Sequence, residues 1–187
     1  MERVRIEDVE NDVQPAAVMR KLTAPLGSTD LAINHYELEP GDSFAFAYHS
    51  HAVQEEVFYV LEGTATFETG EARSAPGPAS GGTASEDGPV EDGPVEVGPA
   101  EAVRFDRGEF QRGWNRGEER VVALALGAPL DYGEQVKLRD CPDCGEATDN
   151  RLEGVEPDGE EAVVAYCREC GTETGRWYRG SMDGTVP

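Results

Sequence analysis

The sequence predicts an all-β protein in two parts, a β-barrel or sandwich followed by a small module closed by four cysteines. Three observations predict it. Short strand-like runs separated by turn residues recur through the first 130 positions. Only one short piece, around Gln14 to Leu22, suggests a helical period. All four cysteines lie beyond residue 140, in two Cys-x-x-Cys pairs.

The strands are expected in this order. Leu31 to Glu39 is a mixed apolar and polar run closed by Pro40-Gly41, a turn signal. Phe44, Phe46 and Tyr48 then alternate with Ala45, Ala47 and His49. Val57 to Leu61 is a continuous apolar run ended by Glu62-Gly63, and Thr64 to Phe67 carries strand-forming residues. Glu101 to Phe105 and Val121 to Leu126 complete the first part. Ala162 to Tyr166 and Glu173 to Tyr178 are the strands expected in the second, with Trp177 as its small core.

Between the two halves of the first part lies a low-complexity segment. Of residues 71–98, 18 of 28 are Gly, Pro, Ala, Ser or Thr, and none is aromatic. The segment includes EDGPV, EDGPV and EVGPA in succession. Such composition buries too little apolar surface to offset its ordering entropy. Residues 71–94 are therefore expected to form a flexible insertion, an expansion in a hairpin, since long loops add little closure entropy. The expected division is a barrel over 1–138 and a cysteine-bound module over 139–187.

The chain of 187 residues carries 16 Lys and Arg against 38 Asp and Glu, a formal charge of −22. Only Lys21 and Lys137 are lysines. This acidic balance disfavours nucleic acid as a partner, which requires a basic face. With few lysines and 38% hydrophobic residues, it suggests a salt-adapted, halophilic cytoplasmic protein. The longest mostly apolar run, Val121 to Leu130, falls far short of the ~20 residues a spanning helix needs. MERVRIEDVENDV has no apolar stretch that would make it a signal peptide. No membrane role is expected.

The chemistry concentrates in Gly41 to Gly63, GDSFAFAYHSHAVQEEVFYVLEG. His49 and His51 are two apart, so on a strand both imidazoles point to one face. Glu56 follows after room for a turn, so a neighbouring strand can bring a carboxylate to them. Two imidazoles and a carboxylate suit Mn, Fe, Ni, Cu or Zn. The stretch resembles the first signature of the cupin superfamily: Gly, His-x-His, Glu after three or four residues, Gly after six. Here the elements are Gly41, His49, His51, Glu56 and Gly63, with seven residues rather than five between Gly41 and His49. Glu55 fits the shorter variant, but the spacing to Gly63 selects Glu56.

The second cupin signature, Pro-x-Gly, two residues, His, three residues, Asn, is matched in spacing by Asp106, Gly108, Gln111 and Asn115. Asp106 replaces the proline, and Gln111 replaces the third histidine ligand. A Gln oxygen can coordinate a metal, as a neutral and weaker donor than imidazole. The resemblance covers roughly residues 25–130, interrupted by the insertion. It implies an antiparallel β-barrel of jelly-roll type, a divalent metal inside it on His49, His51, Glu56 and Gln111, a small-molecule ligand, and a homodimer.

If the histidines face inward, so should Ala45 and Ala47, leaving space near the metal. Ala47, Phe58 and Val60 are the expected pocket lining, although core packing is the stronger reading for Phe58 and Val60. Arg104, Arg107, Arg112, Arg116 and Arg120 form a local cationic run. It is read as solvated arginines paired with Glu101, Glu118 and Glu119 rather than as an anion site.

Cys141-Pro-Asp-Cys144-Gly and Cys167-Arg-Glu-Cys170-Gly are two copies of one knuckle. Four thiolates at this spacing give a tetrahedral metal site. The pattern resembles a zinc ribbon, which implies zinc on Cys141, Cys144, Cys167 and Cys170. Rubredoxins share a Cys-x-x-Cys-Gly pair and bind iron, but the aromatic residues around their knuckles are missing here. The module is itself acidic (5 bases, 12 acids), so a structural role or a protein partner is expected of it rather than nucleic acid. The functional expectation is a metal-binding cupin that holds or transforms a small molecule. The alternative is a non-catalytic module that senses a ligand and reports it through the ribbon.

Overall fold

A computed structural model describes residues 1–70 and 93–179; all but the last two residues of the expected insertion over 71–94 lie outside that range. Strands dominate the described residues and are joined into two antiparallel sheets. In spatial order the first contains β1 (Val18–Lys21), β2 (Ala32–Leu38), β9 (Val121–Ala128), β4 (Glu55–Glu62) and β7 (Ala102–Phe105). The second contains β13 (Glu173–Tyr178), β12 (Ala162–Cys167), β11 (Glu146–Val155), β10 (Gln135–Cys141), β3 (Tyr48–His51), β8 (Phe110–Trp114), β5 (Ala65–Gly70) and β6 (Val95–Val97). Helix is confined to two single turns, Ile6–Asp8 and Pro157–Gly159. No helix among the described residues is long and apolar enough to cross a membrane.

Alternation on β4 and β9 explains why these strands lie at the centre. Val121, Ala123 and Ala125 of β9 and Phe58 and Val60 of β4 are buried on one face, while Tyr59 and Leu61 point to solvent. From the opposite sheet Ala65, Phe67 and Val97 meet them, with Phe44 and Phe105 between. Phe67 lies 5.5 Å from Phe44, 4.9 Å from Phe58 and 5.6 Å from Phe105 by ring centroids. This aromatic plug fills the barrel interior, and truncating one such ring should cost about 3–5 kcal/mol.

Gly63 closes the tight passage from β4 into β5, with φ of 71°. A Cβ there would come within 2.4 Å of the Arg120 carbonyl oxygen, so the last position of the signature admits only glycine.

Two expectations change. The stretch around Gln14 to Leu22 is not helical: Val18–Lys21 is β1, paired residue for residue with Glu37 to Asn34 of β2. Tertiary pairing that buries Met19 overrides a weak local period. The Phe44–Tyr48 alternation enters a strand only at Tyr48, and the chain before it bends to place Phe44 in the core. The insertion joins two antiparallel partners, since Ala65 of β5 pairs with Val97 of β6, as a hairpin expansion requires.

The C-terminal strands extend the barrel sheet. One edge of β10 pairs with β3, Gln135 opposite His51 and Lys137 opposite His49, and its other edge pairs with β11. The compositional boundary at 138/139 therefore falls inside a strand. A second core of Val13, Ala165 and Trp177, with Phe46, Leu152 and Val163, seals this junction. Trp177 is fully buried, 4.9 Å from the Phe46 ring, with the Arg139 guanidinium 4.7 Å over its face. Arg139 also donates to the carbonyls of Thr174 (2.8 Å) and Phe46.

Candidate metal centre

Strand period and sheet register bring the signature residues together. His49 and His51 share a face of β3, Glu56 comes from β4 in the opposite sheet, and Gln111 of β8 lies directly opposite His49. One ligand atom each from His49, His51 and Glu56 lies within 4.8 Å of the others. Gln111 completes the group, its Nε2 donating to Glu56 Oε2 at 2.8 Å and standing 3.2 Å from His49 Nε2.

The outer nitrogen of each imidazole already has a partner. His49 Nδ1 lies 3.1 Å from the Ala47 carbonyl oxygen, so it carries the proton and leaves Nε2 as a lone pair. His51 Nδ1 lies 2.7 Å from Gln54 Oε1. The Gln54 amide is itself oriented by donation from its Nε2 to the Pro129 carbonyl at 2.6 Å. His51 is thus a proton donor at Nδ1 and a lone pair at Nε2. Both rings are held in the tautomer a metal requires.

Burial sets the protonation states. Desolvation lowers His49 to about 3, helped by the neighbouring His51, and lowers His51 as well. Glu56 is raised to about 7, chiefly by desolvation, against the hydrogen bond from Gln111. A neutral imidazole pair beside a carboxylate that is costly to ionise is a site short of one positive charge. The side-chain oxygen of Gln111 points the same way, being buried without a hydrogen-bond partner. A divalent cation suits both: it would stabilise the Glu56 carboxylate and take the lone pairs of His49 and His51. With the Gln111 amide turned, it would also take that oxygen.

The cleft at this group spans about 180 Å³ with open solvent included and is lined by His49, His51, Gln54, Glu56, Asp106 and Gln111, with Ser50, Phe105 and Glu109. Ala47 is buried beneath His49, while Phe58 and Val60 lie in the aromatic core. Phe105 supplies the apolar wall. Glu109 accepts from Thr69 Oγ1 (2.6 Å) and from the Asp106 backbone N–H (2.8 Å), which ties both its oxygens to the rim. Asn115 is fully buried and donates to the carbonyls of Leu38 and Glu119, so this residue of the second signature fastens loops rather than meeting a ligand.

Sequence reasoning missed Gln54, Gln135 and Lys137. Gln135 Nε2 lies 3.0 Å from His51 Nε2. Lys137 is the cross-strand neighbour of His49, and its charge acts on both imidazoles. The arginine run pairs differently from expectation: Arg104 with Glu55 and Asp106, Arg116 with Glu68, Arg120 with Glu37. Glu55, Glu68 and Glu37 come from neighbouring strands, and only Asp106 is a partner along the chain. Arg112 is buried over the Trp114 ring, with Nε and Nη2 unpartnered. His35, on β2, stands apart from the cluster, 3.9 Å from Glu37.

The four cysteines converge independently. Cys141 and Cys170 sulfurs are 3.4 Å apart, those of Cys144 and Cys167 are 3.9 Å apart, and all four lie within 4.8 Å. All are free thiols. The edge of a tetrahedron with 2.3 Å metal–sulfur bonds is about 3.8 Å, so the cluster has the size of a four-thiolate site. Gly145 and Gly171, with φ of 74° and 81°, turn each knuckle and donate back to the Cys141 and Cys167 carbonyls. Thr148 donates to the Cys167 sulfur at 3.1 Å and draws that thiol down toward its ionised form.

No family model matches the chain, and no curated protein matches it by sequence. Solved structures do. The polyketide cyclase RemF from Streptomyces resistomycificus aligns with a TM-score of 0.52 at 24% identity, over 76% of this chain and 89% of that one. A sugar phosphate isomerase from a cupin superfamily, from Silicibacter pomeroyi, aligns at 0.51 and 14% identity, over 93% and 85%. The oxalate decarboxylase of Lactobacillus farciminis aligns at 0.52 and 12% identity, over 71% of this chain and 34% of that one. The chain has the cupin fold, the double-stranded β-helix. Within that fold it carries two clusters able to hold a metal, one at the barrel mouth and one of four cysteines.

Proposed function

We propose that this protein is a metal-dependent cupin that binds and transforms a small molecule at the mouth of its barrel. His49, His51, Glu56 and Gln111 hold a divalent transition ion in this reading, and Cys141, Cys144, Cys167 and Cys170 hold a structural zinc. The observation that carries it is the pair of Nε2 lone pairs, their tautomers set by Ala47 and Gln54, converging with Glu56 on one cleft. The space enclosed by the cleft is far below the usual 300–1,000 Å³ of drug-sized sites, so the ligand has few heavy atoms in contact. Sugar phosphates, polyketides and oxalate, named for the similar structures, share carbonyl or carboxylate oxygens. A bound cation acts on such oxygens as a Lewis acid. The same reading includes a homodimer, and a protein contact through the cysteine-bearing segment.

Metal analysis of chain purified without added metal tests this. Zinc plus about one equivalent of Mn, Fe, Ni or Cu is expected, with the second metal lost in His51→Ala and the zinc retained. One zinc per chain in the wild type, with no uptake of a second zinc or of those four metals on titration, refutes the barrel centre.

A further inference from the structure

The barrel site receives a residue from outside the cupin signatures. In the structure each metal-facing imidazole nitrogen accepts a hydrogen bond from a glutamine amide: His49 Nε2 from Gln111 at 3.2 Å, and His51 Nε2 from Gln135 at 3.0 Å. The two glutamines come from opposite sides of β3, Gln111 from β8 and Gln135 from β10. Gln135 is the direct cross-strand partner of His51, so its side chain stands on the same face, within the ~4.5–5.5 Å Cβ separation of such pairs.

We infer that Gln135 is a fifth protein donor to the barrel metal, supplied by β10, so that the C-terminal segment completes the site. This rests on the metal-centre reading above. Metal binding requires the His51 Nε2 lone pair, which the Gln135 amide nitrogen now occupies. Rotation of the Gln135 amide by half a turn exchanges that nitrogen for an oxygen of nearly the same reach. The amide then changes from a donor facing a lone pair to an oxygen facing a cation, and no backbone shift is needed. Gln111 has the same option, and its buried, unpartnered oxygen shows that its present orientation leaves one atom unsatisfied.

The resulting set is two nitrogens and three oxygens. Amide and carboxylate oxygens shift preference toward the harder ions, Mn(II) and Fe(II), relative to a site with three imidazoles. The anchoring of β10 fits the role. Its far end is Cys141 in the four-cysteine cluster, and Arg139 between them is hydrogen bonded to Thr174. The donor at residue 135 is thereby held on a strand fixed at one end by β3 and at the other by β11, not on a loop.

Mn(II) is the probe, because thiolate sites bind it poorly and the full chain can be used. Free Mn(II) is followed by electron paramagnetic resonance during titration. Wild type is expected to bind one equivalent and His51→Ala none. Gln135→Leu should weaken binding tenfold or more, and Gln135→Glu should tighten it tenfold or more, since an anionic oxygen replaces a neutral one. A residue that only donated a hydrogen bond to His51 would compete with the metal for Nε2, so Gln135→Leu would then tighten binding or leave it unchanged, and that result overturns the fifth donor. Should Gln135→Leu fold poorly, Gln135→Met, unbranched and closer in shape, makes the same distinction. Loss in His51→Ala with both Gln135 variants at wild-type affinity overturns the fifth donor and leaves the metal centre standing. A wild type that takes up no second zinc and none of Mn, Fe, Ni or Cu overturns both.

Discussion

Gln54 holds His51 by its Nδ1, with the amide oxygen 2.7 Å from the ring and the amide nitrogen anchored to the Pro129 carbonyl. The contact fixes the orientation of the imidazole. A Cβ on Gly127 would lie 2.6 Å from the Gln54 side chain, so the residue behind Gln54 also has to be small. Gln54→Leu keeps the bulk but frees the ring to flip and to exchange tautomers. Removal of such an outer partner costs 10–100-fold in metal affinity. That loss is expected in a metal titration of Gln54→Leu, with the melting midpoint of the metal-free chain changed little. An affinity equal to wild type would mean His51 is fixed by packing alone.

Metal uptake should depend on pH through Glu56. Its carboxyl is raised to about 7 by burial, whereas His49 is lowered to about 3 and His51 is lowered too. Between pH 5 and 7 the metal-free site therefore holds a neutral His49 and a protonated Glu56. Binding a cation must expel that one proton. Affinity is expected to rise about tenfold per pH unit below 7 and to level off above it. Glu56→Gln should bind more weakly and lose the slope. A wild-type slope centred near 4.5 would mean the carboxylate is not desolvated as described.

Much of the site was legible because it is local. His49 and His51 are two apart on a strand, and each Cys-x-x-Cys-Gly knuckle closes within five residues, so spacing alone carries the geometry. Gln135 was not legible: it reaches His51 through a sheet pairing 84 residues away, and β10 and β11, QVKLRDC and EATDNRLEGV, lack the apolar alternation that marks a strand. Those strands form because each is paired on both edges, with Arg139 and Asn150 satisfied by side-chain hydrogen bonds rather than by an apolar face. The cleft is lined by none of Ala47, Phe58 and Val60, for a related reason. Period two correctly puts Phe58 and Val60 on the Glu56 face, but whether that face meets a cavity or a plug depends on Phe44 and Phe67 from distant segments.

The cysteine cluster and the barrel should melt together. The compositional break at 138/139 predicts independent units, but β10 crosses it and Trp177 packs on Phe46. Cys141→Ser removes one of four thiolates and should release the metal of that site. Because Cys141 ends β10, the barrel's unfolding midpoint is expected to fall with it, in one transition seen alike by far-UV and near-UV circular dichroism. Two separate transitions, with the barrel's unchanged, would establish two units that fold apart.

The last expectation concerns Gln111, which faces His49 across the β3–β8 pair and donates to Glu56. Residue 111 is 3% exposed and its oxygen has no partner, so the position is built for a side chain directed at the centre. Gln111→His substitutes an imidazole nitrogen for an amide oxygen at closely similar volume. Borderline ions such as Ni(II) and Zn(II) prefer that donor, so their affinity for the barrel should rise tenfold or more, about 1.4 kcal/mol. Mn(II) should gain less, because its preference for nitrogen over oxygen is weaker. The selectivity ratio of Ni(II) to Mn(II), measured by competition in wild type and variant, separates a true ligand from a bystander, since a change in packing would move both ions alike. A ratio unchanged by Gln111→His would place residue 111 outside the coordination sphere. The buried oxygen would then need another partner, and the barrel centre would rest on His49, His51 and Glu56 with whatever β10 contributes.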